Sequence, residues 1–143
     1  MVPVAGEVSA RSSGMRLEDL VAVPVDVGKH SAMASVLDFT GATLVKPFEF
    51  SLDRRGVDEL VRRVRAAVPM TVSLIRVGLE AAGHYHLPLA GGALPDEWEL
   101  RLLNPGHVAM QRKANGQRGV KTDRVDLVAI GDLLLAGRGT VAR

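Results

Sequence analysis

The sequence predicts an α/β domain built on a mixed five-stranded sheet, its first three strands antiparallel, with helices on both faces. Three observations carry this. Apolar, β-branched runs recur along the chain between turn residues. The first three follow one another through short connections, as antiparallel strands do. After them, strand-like runs alternate with stretches of helical spacing, the pattern that places helices against a sheet containing parallel strands. A chain of 143 residues can bury about two-thirds of its unfolded surface. With 47% apolar and 24% charged residues, it has the composition of a globular domain and not of a disordered one.

Residues 1–16 are small, polar and aperiodic and are expected to form a flexible leader. Leu20 to Val27 (LVAVPVDV) reads as a buried first strand. Ser31 to Phe39 and Ala42 to Phe50 read as two more, joined through Thr40-Gly41 as a hairpin. Leu52 to Val68 is an amphipathic helix with Val57, Leu60, Val61 and Val64 on one face, stopped by Pro69. Thr71 to Leu79 is the fourth strand, with Glu80 at its end. Ala81 to Leu89 can form a short helix, closed by Gly91-Gly92. Trp98 to Leu103 is the fifth strand. Pro105 to Lys113 is helical, and Asn115 to Gly119 is a glycine-rich loop. Thr122 then reads as the N-cap of a last helix running to about Ala136 and ended by Gly137 and Gly139. The domain is expected over residues 17–139, with 140–143 as a tail.

Several chemistries are excluded at once. The absence of cysteine removes thiolate nucleophiles, disulfides and zinc-finger sites. No apolar run approaches the ~18 residues that cross a bilayer, so no membrane partner is expected. Met1 to Ser13 lacks the pattern of a signal peptide, which points to the cytoplasm. The net charge is +2, and the positive residues are 14 Arg and 4 Lys. Guanidinium suits bidentate phosphate contacts, although a GC-rich coding sequence gives the same ratio. The basic residues concentrate in Gln111 to Arg124, where Arg112, Lys113, Arg118, Lys121 and Arg124 face a single acid, Asp123.

The acids are placed unusually. Asp26 lies in the apolar first strand, where a lone charge is costly. Glu80 follows an apolar strand directly. Asp123 and Asp126 stand three apart on the first turn of the last helix and share a face. Four carboxylates converging from those elements would suit Mg²⁺, which takes oxygen ligands and can activate an attacking oxygen. Simpler readings stay open for each. Asp123 can complement the helix dipole, Glu80 can cap the following helix, and Asp26 can pair with Lys29. Other patterns carry less. Gly116 to Thr122 lacks the spacing of a phosphate loop, and Val120, not glycine, precedes Lys121. His84 and His86 point to different sides of a helix. No Gly-x-Ser-x-Gly occurs. The arginines from Arg54 to Arg65 are interleaved with Asp53, Asp58 and Glu59 and read as a solvated helix face.

Four segments together resemble a known family. Val25-Asp26-Val27-Gly28-Lys29-His30, Gly78-Leu79-Glu80-Ala81-Ala82-Gly83-His84-Tyr85, Leu103-Asn104-Pro105 and Lys121-Thr122-Asp123-Arg124-Val125-Asp126 are similar to the N-terminal domain of the DEDD-type insertion-sequence transposases. These are the bridge-RNA-guided recombinases, whose relatives include a pilin-gene invertase. The resemblance runs from about Val21 to Gly139. It implies a RuvC-like, ribonuclease-H-type fold, matching the element order. It also implies that Asp26, Glu80, Asp123 and Asp126 are the catalytic acids, holding Mg²⁺ or Mn²⁺ at the DNA phosphate to be cut. Lys121 and Thr122 belong to the same motif and would lie near the phosphate backbone. The basic stretch from Arg112 to Arg124 suits DNA or a guide RNA, since phosphate contacts supply most nonspecific affinity. Pro24 stands where the family has a small residue. It cannot donate to a ladder, so a bulge or local unpairing is expected there. Leu127 stands where alanine is usual, a change that affects packing.

Family members continue into a helical linker and a second domain bearing a nucleophilic serine. This chain stops at Arg143. It is therefore expected to be an isolated or truncated catalytic domain of a DNA transposase, incomplete for strand exchange alone and homo-oligomeric in the full-length protein. A non-catalytic remnant that binds nucleic acid or dimerises is the alternative. A fragment of an actin-like ATPase is a weaker one, motivated by Asp26-Val27-Gly28 after a first strand.

Overall fold

The computed structural model describes residues 17–69, 72, 74–81, 89, 92–116 and 123–142. A 3₁₀ turn, Leu17–Asp19, leads into β1 (Leu20–Val27), β2 (Ser31–Leu37) and β3 (Thr43–Ser51). Helix α1 (Arg54–Ala67), β4 (Leu74–Glu80) and β5 (Glu99–Leu103) follow. Two helices, α2 (Pro105–Ala114) and α3 (Asp123–Leu135), and a two-residue strand, β6 (Thr140–Val141), complete the order. The leader and the short helix expected from Ala81 lie largely outside the described residues, as does the Thr122 cap.

The strands form one sheet in the order β3-β2-β1-β4-β5-β6. The first three are antiparallel, while β4 runs parallel to β1 and β5 parallel to β4. This is the ribonuclease-H-like arrangement: an antiparallel meander whose first strand continues into a parallel half. One correction is needed. The sheet has six strands, because Thr140 and Val141 pair antiparallel with Leu102 and Arg101 where a tail was expected. The strand is too short to show periodicity. It forms because Gly137 and Gly139, with φ of 78° and 97°, turn the chain back along β5.

Each face of the sheet takes alternate residues. Val21, Val23 and Val25 of β1 and Val77 and Leu79 of β4 join Val57, Leu60 and Val64 of α1 in one core. The opposite face, through Ala22 and Leu103, packs on Val108 of α2 and on Ala129, Ile130, Leu133 and Leu134 of α3. Full burial of a Val or Leu side chain stabilises by about 1.5–3 kcal/mol. The three α1 residues, at most 1% exposed, thus anchor that helix. The expected solvated arginines are found on its outer side, where Arg62 and Arg63 bond Glu59, and Arg54 pairs with Asp58. Arg63 also stacks on Phe48, 4.6 Å from the ring centre.

Helix α3 lies low on the sheet because two glycines make room. A Cβ on Gly78 of β4 would fall 2.1 Å from Leu134 Cδ2, and one on Gly131 of α3 would fall 2.6 Å from Leu37 Cδ1. Pro24 pairs with Gly78 in an unbroken β1–β4 ladder. On the other side, the β1–β2 ladder passes from Ala22↔Leu37 to Val25↔Ala34 in constant register, with Val23 and Pro24 between. The missing N–H of proline therefore loosens one ladder without displacing the strand or shifting Asp26 off register.

Candidate metal-binding edge

The acids take their positions from strand register. Val25 pairs with Leu79, so Asp26 and Glu80 stand one step beyond on adjacent parallel strands, which run about 4.8 Å apart. Val25 and Leu79 face α1, so by alternation Asp26 and Glu80 belong to the face covered by α3. Glu80 is the last residue of β4 and pairs with Leu103 of β5. Asp126 sits on the first turn of α3 and is 4% exposed. Asp123 begins the same helix. Asp26 and Glu80 thus stand at one end of the parallel half, at the C-termini of β1 and β4, on the face that α3 covers.

Among the described residues, no three Asp, Glu or His side chains are close enough to hold a metal ion. Instead, Arg112 Nη1 at the end of α2 donates to Asp126 Oδ1 at 2.9 Å. Asp26 lines a small hollow of about 130 Å³ together with Gly28, Ser31 and Glu49. There the Ser31 hydroxyl donates to Glu49 Oε2 at 2.7 Å. Asp26, Met33 and Glu49 form one row across β1, β2 and β3, so Glu49 shares the face of Asp26. A larger cleft of about 590 Å³ between α3 and strands β2 and β3 is lined by Ser35, Leu44, Lys46, Val128 and Asp132 among others, and by none of the four candidate acids.

The predicted nucleic-acid residues fare unevenly. Arg112 is committed to Asp126, while Lys113 is exposed at the end of α2. Arg118, Lys121 and Thr122 lie outside the described residues, and Arg124 is placed by its backbone on the first turn of α3. The Leu103-Asn104-Pro105 segment has a structural explanation. Asn104 is the N-cap of α2, its Oδ1 accepting from Gly106 N at 2.7 Å, and Pro105 takes the first helical position. Replacing Asn104 by alanine is expected to cost about 1 kcal/mol of stability, read as a lower denaturant midpoint at unchanged slope.

Sequence reasoning missed a buried ion cluster. Glu99 Oε1 accepts from Arg76 Nε at 2.6 Å and from Arg101 Nε at 2.9 Å. Burial pushes the Glu99 carboxyl up, but the two guanidinium bonds outweigh it and hold its pKa below the ordinary value. The arginines continue to the C-terminus of α3. Arg76 Nη1 donates to the Leu134 carbonyl at 2.8 Å, and Arg101 Nη1 to that of Gly137 at 2.6 Å. Gly137 and Arg138 close the helix by donating to Leu134 and Leu133. The cluster therefore fastens one end of the helix whose other end carries Asp123 and Asp126. The signal was present as charges at alternate positions in apolar strand text, in LIRVGLE and ELRLL.

The sheet order and its parallel half define the class of the chain, a ribonuclease-H-like α/β domain. Within it, the chain belongs to the DEDD transposases of the IS110 type: the family model, described as transposase, matches residues 23–143. No curated protein matches the chain. Among solved structures it is similar to RuvC of Thermus thermophilus in complex with a Holliday junction substrate. The identity there is 13%, with 85% of this chain and 99% of that chain covered and a TM-score of 0.48. A second Thermus thermophilus RuvC structure matches at 14% identity, the same coverages and a TM-score of 0.45. Among the described residues, no helix is long and apolar enough to cross a membrane.

Proposed function

We propose that this chain is the metal-dependent catalytic domain of a DNA transposase, cutting DNA phosphodiester bonds and serving strand transfer. The observation that carries the reading is the placement of Asp26 and Glu80 side by side at the ends of adjacent parallel strands, on the face where α3 brings Asp126. The donor set fits Mg²⁺ or Mn²⁺, because all four side chains offer hard carboxylate oxygens. Asp26, Glu80, Asp123 and Asp126 would hold the ion. When bound, it supplies charge stabilisation at the phosphoryl oxygens and lowers the pKa of an attacking water or hydroxyl.

The remaining work falls to the chain itself. The β1–β4 ladder fixes two carboxylates at strand spacing, and α3 sets the height of the others above them. Lys113 and the basic residues that follow it would hold the DNA backbone, or a guide RNA, beside that edge. Homo-oligomers, and a cytoplasmic site of action, belong to the same proposal.

The test is metal binding. Calorimetry is expected to show Mn²⁺ uptake by the chain and none by a Glu80→Gln, Asp126→Asn double variant. Equal uptake by both would place the metal elsewhere and end this assignment. The Arg112–Asp126 pair favours a second reading, in which the edge is closed and the domain only binds nucleic acid. Salt-dependent DNA binding that ignores metal would select it.

A further inference from the structure

Asp126 is buried, and a buried carboxylate needs a cation or several donors to be tolerated. Arg112 is such a cation, 2.9 Å from Oδ1. The two partners differ in their access to solvent. The Arg112 side chain is 22% exposed and that of Asp126 only 6%. The guanidinium thus borders solvent at the end of α2, while the carboxylate points inward from α3. Asp126 is also one of the acids assigned to the metal. A divalent ion and a guanidinium on one carboxylate would lie within a few ångströms of each other, where like charges repel strongly in a half-buried site.

We propose that Arg112 is the cation that Asp126 keeps until a divalent ion is bound, and that it then swings out to meet a nucleic-acid phosphate. The inference rests on the metal reading above and deepens it. The pair is a built-in counter-charge: it stabilises the buried acid while the edge is empty of metal and frees a phosphate-binding fork once it is filled. A guanidinium released on the solvent side has the planar donor pattern that matches phosphate. By linkage, metal and nucleic acid then strengthen each other's binding, with Arg112 as the residue that couples them. The opposite assignment would make Arg112 a permanent orienting partner of the ligand, and its removal would then weaken metal binding. The two assignments differ in sign.

The sign is read by titrating Mn²⁺ calorimetrically into the whole chain and into Arg112→Gln and Arg112→Lys variants. Arg112→Gln, which keeps a donor but loses the charge, is expected to bind Mn²⁺ between about 5- and 150-fold more tightly, the range of ordinary coupling between sites. Arg112→Lys is expected to stay near the parent. A second measurement needs no folded Gln variant: the guanidinium NMR signals of Arg112 in the parent chain, identified by their loss in Arg112→Lys, should shift to a free, fast-exchanging form at saturating Mg²⁺. Unchanged or weaker Mn²⁺ binding by Arg112→Gln, or signals that ignore Mg²⁺ while the ion binds, overturns the exchange and leaves the acids as metal ligands. No Mn²⁺ uptake by parent or variant overturns the metal reading and the exchange with it.

Discussion

Replacing Glu99 by glutamine is expected to destabilise the domain by about 3–5 kcal/mol, the cost of leaving buried cations without their counter-charge. Glu99 is 1% exposed, with Arg76 at 5% and Arg101 at 8%. The amide preserves shape and one acceptor, so the loss reports charge and not volume. A combined change of all three residues to apolar ones of similar size should cost much less, since buried ion pairs contribute little net stability when both sides are removed together. Equilibrium unfolding in urea checks both statements. A Glu99→Gln variant within about 0.5 kcal/mol of the parent would show that the arginines find other partners, and the cluster would lose its role as the anchor of α3.

The same group sets an acid limit. Its pKa in the folded chain lies below the ordinary 4.5. A depressed carboxylate contributes stability that is fully present above its unfolded pKa and is lost as pH falls through the folded one. Stability is therefore expected to decline below about pH 4.5, and the decline should flatten in Glu99→Gln, measured as urea midpoint against pH. Glu59, held at about 2 by its bonds from Arg62 and Arg63, adds a shallower tail at lower pH because it is solvent-exposed.

Elements governed by local pattern were legible in the sequence. β1 begins and ends at Leu20 and Val27 as expected, because its apolar run is bounded by charged and turn residues. The last helix stops where Gly137 adopts the left-handed conformation. What stayed hidden depends on pairing at a distance. The adjacency of Asp26 and Glu80 follows from a parallel register between strands separated by a hairpin and a helix, which no local spacing encodes. The motifs named Asp26 and Glu80; the ladder explains why these two stand on adjacent strands. Arg112 read as a phosphate contact because it lies in a basic stretch, yet its nearest partner is an acid on the next helix. The basic stretch runs from the end of α2 to the start of α3, and packing of those helices against each other decides which charges meet. Gly78 likewise stands inside an apolar strand. Its lack of a side chain is explained only by Leu134, far along the chain.

That contact supports the second large effect. Gly78→Val is expected to cost about 3 kcal/mol, since a Cβ at this position meets three atoms of the Leu134 side chain at 2.1, 2.8 and 2.9 Å. Leu134 is fully buried and cannot swing aside into solvent. The helix must therefore rise, moving Asp126 away from Asp26 and Glu80 and straining the bond from Arg76 to the Leu134 carbonyl. Leu134→Ala alone is expected to cost about 2–5 kcal/mol as a cavity. The double variant should then be more stable than the sum of its parts by about 0.5–3 kcal/mol, because the valine fills space the leucine has vacated. Additive losses would mean that α3 and β4 do not compete for this volume. Mn²⁺ binding should follow the same order: weakened in Gly78→Val, where the helix is lifted, and partly restored in the double variant, where it can settle back onto the strand.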